Sequence, residues 1–235
     1  MQSLIDGARS IGIGISSAQL ELFECYYREL VEWNRRVNLT SVVEYEEIQT
    51  KHFLDSITIV LASKQFPGGR VVDVGAGPGF PGIPLCIVSP DIELVLVESI
   101  GKKAAFLEHI IKMLDLNRAS VVNDRAECLG QSVVYREQFD LATCRAVGTL
   151  STVAELTLPL CKVGGILVAQ KKGSIREELE RSTRAIGVLG GRIDGVKTVD
   201  IPHLGRDRFL IRIDKHSPTP SQYPRRPGIP RKRPL

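Results

Sequence analysis

A chain of 235 residues, 43% hydrophobic and 25% charged, is long enough for one large domain and too apolar for bulk disorder. Its longest uncharged stretch, Val74–Pro90, holds eight Gly or Pro among seventeen residues, which excludes a membrane helix there. The net charge of +4 is uneven: residues 206–235 carry nine Lys or Arg against Asp207 and Asp214, a net of +7, so the other 205 residues stand at −3. A basic end on a mildly acidic body suits either a polyanionic partner, nucleic acid first, or a merely solvated tail.

The first 65 or so residues read as helical. Ser16 and Ser17 are N-cap candidates, and Leu20, Phe23, Tyr27, Leu30 and Val31 fall on one face. A second helix is predicted from about Glu44 to Ala62, after an Asn-rich connection through Asn34 and Asn38. Trp33 is expected in the core of this lobe, beside Leu30 and Val37. From residue 70 short β-branched runs alternate with helical stretches. RVVDV, IELVLVES, ASVVN, FDLATC and GGILVAQ read as buried strands. Helices are predicted at Gly82–Val88, Lys102–Leu114, Thr149–Leu158 and Ile175–Ile186. GRIDGVKTVDI and DRFLIRID close the series as an antiparallel pair. This alternation predicts a doubly wound, Rossmann-like α/β sheet at 66–215, behind a small N-terminal helical lobe at 1–65 and before a basic Pro/Arg-rich tail at 216–235.

Five dispersed cysteines without Cys-x-x-Cys argue against a disulfide framework or a zinc site, and the four histidines lack ligand spacing, so no metal is expected. No basic segment followed by an apolar run opens the chain, so the expectation is a cytoplasmic protein without a membrane partner.

In doubly wound sheets ligands bind outside the carboxyl ends of the strands. The first strand ends in Asp73-Val74-Gly75-Ala76-Gly77-Pro78-Gly79-Phe80. The dinucleotide fingerprint would need glycine where Phe80 stands, Pro78 removes a backbone donor, and Asp73 would oppose a pyrophosphate. These features favour a cationic nucleoside without phosphates, S-adenosylmethionine. Glu98, closing the second strand, is either a capping acid or an acceptor for two ribose hydroxyls, and the glycine turn favours the second. The third strand leads into Asp124, Ala126 and Glu127, the fourth ends at Arg145 and the fifth at Lys171. Arg145 and Lys171 beside a cofactor pocket, with a basic tail downstream, fit a nucleic-acid substrate.

Taken together, WNRRVNLTS, HFLDS, VVDVGAGPGFPGIPL, CRAV, KKG and YPRRPGIPRKRPL resemble the RsmG (GidB) family of rRNA guanine-N7 methyltransferases, in family order from about residue 20 to the end. The resemblance implies methyl transfer from S-adenosylmethionine to N7 of one guanine of small-subunit (16S) rRNA near the decoding centre, on free rRNA or the 30S particle. It implies cofactor contacts at Gly75, Phe80, Ala126, Glu127 and Arg145, with Glu98, Ser99 and Ile100 at the ribose; Asp73 and Gly77 belong to the same turn. The family often has Asp where Glu98 stands and Ser where Cys144 stands, and neither change removes an acceptor the cofactor needs.

Guanine N7 carries a free lone pair, so alignment rather than a general base is the expected catalytic device. Arg145 and Lys171 are the candidates to orient the guanine or its phosphate, and Arg225, Arg226, Arg231, Lys232 and Arg233 to hold neighbouring phosphates. His52 is either a helix histidine satisfied by Asp55 or a residue of the lobe–domain cleft, and Asn38 either a cap or an RNA contact. Three alternatives share these features: another S-adenosylmethionine-dependent methyltransferase, a nucleotide-dependent dehydrogenase, and a non-catalytic RNA-binding assembly protein.

Overall fold

The computed structural model describes residues 1–63, 68–145, 147–201, 204–205 and 207–235. The expected 65/66 boundary, Ala146 of CRAV, His203 and Arg206 lie outside them.

The N-terminal segment holds α1 (Gln2–Ser10) and α2 (Ser17–Val37). Ser16, of the two candidates, is the α2 cap. Its side chain accepts from the Gln19 N–H at 3.3 Å while Gln19 Oε1 accepts from the Ser16 N–H at 2.9 Å, a reciprocal capping box. The predicted second helix is not uniform. It runs as α3 (Tyr45–Ile48), a π-wound segment (Gln49–Leu54), α4 (Asp55–Ile57) and a 3-10 turn (Thr58–Leu61). A π-bulge adds a residue to the turn and re-aims its side chains, and here it carries His52 and leads into Asp55.

The sheet has seven strands: β1 (Gly69–Val74), β2 (Ile92–Val97), β3 (Ala119–Val122), β4 (Phe139–Arg145), β5 (Cys161–Lys172), β6 (Gly191–Val199) and β7 (Arg208–Lys215). Their order is β3-β2-β1-β4-β5-β7-β6, with β1 to β5 parallel and β7 antiparallel to both β5 and β6. The chain reverses its direction of travel between β1 and β4, which places the ligand crevice at their carboxyl ends.

Strands β1, β2, β4, β5 and β7 alternate their side chains between two cores. Val71, Leu94, Leu96, Leu141, Val168 and Leu210 face one core, which continues into Phe23, Tyr26, Leu30, Phe53 and Leu54 of the N-terminal helices and into α5 (Gly82–Val88) and α6 (Gly101–Met113). Val72, Val95, Val97, Ala142, Ala169 and Ile211 face the other, covered by α7 (Ala126–Gln131), α8 (Leu150–Thr157) and α9 (Arg176–Val188). Trp33 departs from its expected place. Its half-buried ring packs 5.5 Å from Phe106 and 5.0 Å from His109 of α6, so it joins α2 to the sheet domain instead of filling a separate lobe core. The final short helix, α10 (Ile229–Lys232), returns to the sheet's carboxyl edge.

Candidate functional site

The glycine turn after β1 is tied down from several directions. Gly75 and Ala76 donate their N–H groups to Val97 O at 2.9 and 3.1 Å, and Gly77 donates to Glu98 Oε2 at 3.0 Å. Gly75 has φ of +72°, and a Cβ there would sit 3.0 Å from Val147 Cγ2, in a space both residues line. Gly79 has φ of +100°, and a Cβ would fall 2.5 Å from Ile83 Cδ1 and 2.7 Å from the Tyr26 hydroxyl. That hydroxyl donates to Pro78 O at 2.5 Å, so a residue of α2 pins the turn. Behind it Tyr26, Phe53 and Phe80 form an aromatic cluster, Tyr26 lying 5.2 Å from Phe53 and 5.4 Å from Phe80. Such pairs contribute about 0.5–1.5 kcal/mol each beyond their burial.

Between the ends of β1, β2, β3 and β4 lies a cavity of about 320 Å³. Gly75, Glu98, Ser99, Ile100, Ala126 and Glu127 line it, and Arg145 stands at its rim. Gly77 and Phe80 instead line an adjoining space with His52 and Arg145. Glu98 is held by the N–H groups of Gly77 and of Ile100, the latter at 2.7 Å. An ionised carboxylate has about four acceptor positions, so two remain for a ligand's hydroxyls. Asp73 does not line the cavity. It is fully buried beneath the turn, and its Oδ2 accepts the Gly82 N–H at 2.8 Å. That carboxylate occupies the position at the start of α5 where a dinucleotide fold would receive a pyrophosphate. Its Oδ1 has no partner among the described residues, and burial pushes the carboxyl up to about 7, against the pull of the Gly82 N–H and Arg145. The residues therefore fit S-adenosylmethionine: a cradle that a Cβ would fill, a pre-oriented acceptor for a ribose, and no seat for a pyrophosphate.

Arg145 is the joint of the site. It lines this cavity and also a second mouth of about 360 Å³ shared with His52, Asp55, Gln170, Lys171 and Arg208. Its Nη1 donates to Lys51 O at 3.1 Å and to Asp55 Oδ2 at 3.0 Å, and its guanidinium lies 5.0 Å from the centre of the Phe80 ring. Asp55 is buried, and its other oxygen pairs with Arg208 at 2.8 Å. Of the two readings of His52, the partnership with Asp55 is not the one found, and the ring lies in the cleft beside Arg145. Asp55 serves the two arginines instead, and the His52 Nε2 meets Thr40 Oγ1 at 2.8 Å while its ring stacks on Phe80 at 4.5 Å. His52 Nδ1 lies 3.2 Å from Arg145 Nη2 and 3.1 Å from Lys51 O. Burial, then the charge of Arg145, brings the His52 imidazole down to about 3. Among the described residues the sequence did not point to Tyr26, Thr40, Gln170 or Arg208 as part of the site, and it offered Asp55 only as a neighbour of His52.

Lys171 needs a correction. It reaches the wall of the second mouth, but its ammonium does not converge with Arg145. β4 and β5 pair Arg145 with Gln170, so those two share a face and Lys171 points to the other. There its Nζ donates to Gly148 O at 2.5 Å and pairs with Glu178 at 2.7 Å. Gln170 stands beside Arg145, donating to Asp55 O at 2.6 Å, with its buried Oε1 unpartnered among the described residues. Arg225 is the second correction. Its guanidinium grips Glu155, which has no exposure, at 2.8 and 2.6 Å, because a buried carboxylate requires a partner. Arg226, Arg231, Lys232 and Arg233 are exposed, and Arg231 also borders the cofactor cavity. Asn38 caps α2 at φ of +57°, its side chain exposed. Among the described residues no helix is long and apolar enough to cross a membrane, and no group of three or more His, Cys, Asp or Glu could hold a metal ion.

A family model described as rRNA small subunit methyltransferase G (GidB) matches residues 19–207. Curated relatives named ribosomal RNA small subunit methyltransferase G include one from Dehalococcoides mccartyi strain CBDB1 and one from Roseiflexus castenholzii. Each is 47% identical over 235 residues and covers 100% of both chains. Among solved structures, an S-adenosyl-L-methionine-dependent methyltransferase described as putative, from Methanococcus maripaludis, superposes with a TM-score of 0.55 at 16% identity, covering 81% of this chain and 92% of that one. M. jannaschii TYW2 in complex with AdoMet gives 0.50 at 17% identity, covering 66% and 73%. Likeness at these identities establishes the fold alone, a class I methyltransferase sheet.

Proposed function

The chain belongs to the rRNA small subunit methyltransferase G (GidB) family, and on that premise we propose that it methylates N7 of a single guanine in 16S rRNA, near the decoding centre. It is an S-adenosylmethionine-dependent methyltransferase of small-subunit rRNA. The finer reading adds the atom, the place of work in the cytoplasm, and the residues. One observation carries it: Arg145 borders both the cofactor cavity and the second mouth, so a base held in that mouth lies next to the cofactor.

Bound S-adenosylmethionine supplies an electrophilic methyl group on a sulfonium. The chain's own residues supply place and alignment. Glu98, fixed by two backbone N–H groups, receives ribose hydroxyls, and the glycine turn lets the backbone come close. Ala126 and Glu127 close the opposite wall. Arg145, locked by Asp55, Lys51 O and the Phe80 ring, presents a guanidinium whose position is set before substrate arrives. A fixed cation suits the O6 edge or the phosphate of a guanine while N7 stays free to attack.

No proton has to leave N7, and the site is built accordingly. His52 is neutral at physiological pH with Nδ1 between Arg145 and Lys51 O, and both oxygens of Asp55 are paired. These groups position; they do not shuttle protons. Alignment of this kind can supply about 7–11 kcal/mol of barrier reduction. Arg226, Arg231, Lys232 and Arg233, on the outer side of the C-terminal segment, hold rRNA phosphates in this reading.

Methyl transfer from labelled S-adenosylmethionine to 16S rRNA and to 30S particles, with the product mapped by cleavage at N7-methylguanine, tests the proposal. One labelled guanine is expected. Label at another atom or another base would overturn the N7 reading and leave the family membership intact.

A further inference from the structure

The C-terminal segment was expected to be a basic tail, yet it is one of the most heavily bonded parts of the surface. It leaves β7 at Lys215, whose buried ammonium donates to Leu158 O at 2.8 Å and contacts Thr219 Oγ1. The Thr219 N–H donates to Glu137 Oε1 at 2.7 Å. Arg136 then donates to three carbonyls in turn: Thr219 at 2.6 Å, Pro220 at 3.3 Å and Tyr223 at 2.8 Å. Gln131 takes the carbonyls of Ser221 at 3.1 Å and Pro224 at 2.9 Å. Pro224 lies so close to α7 that a Cβ on Gly130 would fall 2.6 Å from its Cγ.

Beyond this clamp the chain crosses to the cofactor cavity. Arg225 closes on Glu155 and also donates to Arg233 O at 2.7 Å, which folds the tip back. The Gly228 N–H donates to Glu127 Oε1 at 2.8 Å, and Thr152 Oγ1 donates to Pro230 O at 3.1 Å. Glu127 and Thr152 line the cavity, and so do Gly228 and Arg231 themselves. The inner side of the segment is thus anchored on residues of the cavity wall, while Arg226, Arg231, Lys232 and Arg233 remain exposed.

We propose that residues 219–232 form a strap that is itself a wall of the S-adenosylmethionine site, latched by the Glu155–Arg225 pair, so that cofactor retention depends on the seating of the chain's C-terminal end. A tail serving only as a phosphate arm would not need buried prolines, a fully buried carboxylate partner, or a bond to Glu127. The proposal goes beyond rRNA recognition and rests on the placement of the cofactor in the 320 Å³ cavity.

Calorimetric titration of S-adenosylmethionine, without RNA, compares the full chain with Arg225→Ala and with a chain ending at Gln222. The expected result is about a tenfold or greater weakening in both variants, with hydrogen exchange of the remaining sheet unchanged. An unweakened Kd in either folded variant would overturn the strap as a wall of the site. Should both variants misfold, the intact protein still decides: adding S-adenosylhomocysteine must slow amide exchange in the 226–232 peptide, and exchange indifferent to it overturns the proposal. An intact chain that bound no S-adenosylmethionine would remove the cofactor placement itself, a result distinct from tight binding with an indifferent strap.

Discussion

Both ends of the chain come back to the carboxyl edge of the sheet, and they are held there by opposite kinds of chemistry. The N-terminal helices arrive on one face through an apolar core: Phe23, Leu30, Phe53 and Leu54 are buried with the sheet's Val71, Leu94 and Leu141, and one hydroxyl, that of Tyr26, reaches the glycine turn. The C-terminal strap arrives on the other face through polar groups, chiefly side chains of Arg136, Gln131, Glu155 and Glu127 bonded to the strap's backbone and, for Glu155, to the Arg225 guanidinium. An apolar anchor is non-directional and scales with area, whereas a polar anchor depends on each partner and is costly to leave half made. The first kind should tolerate conservative change and the second should fail at single substitutions.

The largest expected effect falls where the apolar end carries a buried charge cluster. Asp55 binds both Arg145 and Arg208 from a nearly inaccessible position. Asp55→Asn should lower kcat/KM for rRNA methylation by about 100-fold through displaced Arg145, the order of loss seen when a positioning group moves by an ångström. S-adenosylmethionine affinity should change far less, since Glu98 and the glycine turn are untouched. Steady-state kinetics alongside a binding titration separate the two, and equal losses in both would remove Asp55 as a positioning residue of the acceptor mouth.

The comparison also explains what could be read from the sequence. Apolar periodicity announces itself, so the strands at 70–74 and 92–97 and the helix at Gly82–Val88 were legible, as was the antiparallel pair at the end. The glycine turn was legible because Asp73, Pro78 and Phe80 contradict a phosphate cradle in ways chemistry can state. Polar anchoring has no period, and nothing in QYPRRPGIPRKRPL says that Arg225 meets a buried glutamate seventy residues earlier. Lys171 is a different case. The two-residue repeat of β5 places Gln170, not Lys171, on the face of Val168, which is also the face of Arg145 once the β4–β5 register is known. The face alternation was in the sequence, but the register was not. The π-wound turn that brings His52 and Asp55 together has no sequence signature among the residues that form it.

A second prediction probes two titratable groups beside the turn, buried Asp73 and half-buried His52, whose shifts work against each other. Asp73 stands at about 7, above its ordinary value, so between about 4 and 7 the folded chain binds more protons than the unfolded one. Its contribution is present at low pH and is lost as pH rises through 7. His52 stands at about 3, below its ordinary value, so between 3 and about 6.5 the unfolded chain binds more protons. Its contribution is present above 6.5 and is lost as pH falls towards 3. Denaturant unfolding between pH 4.5 and 6.5 should therefore show a shallow slope in the parent chain. Asp73→Asn should leave stability rising with pH, and His52→Gln should leave it falling. The same slope in all three proteins would mean that neither group titrates as its surroundings require.

The smallest effect should come from one polar tie of the apolar end, the Tyr26 hydroxyl on the glycine turn. Tyr26→Phe keeps the ring between Phe53 and Phe80 and removes only the hydroxyl that donates to Pro78 O. A hydrogen bond of this kind contributes about 1 kcal/mol net, so a modest drop in unfolding free energy is expected. The consequence for function should be of similar size. The hydroxyl backs Gly79 from a position where a Cβ would collide, and without it the turn gains freedom that cofactor binding must then remove. A few-fold weaker Kd for S-adenosylmethionine, at unchanged kcat with saturating cofactor, is the expected pattern, because Arg145 and the acceptor mouth keep their supports. Losses as large as those of Arg225→Ala would show that the apolar end too depends on individual bonds, and that both ends hold the edge of the sheet in the same way. An unchanged Kd would show that Phe80 and the packing behind it hold the turn alone, which would carry the contrast between the two ends to its limit.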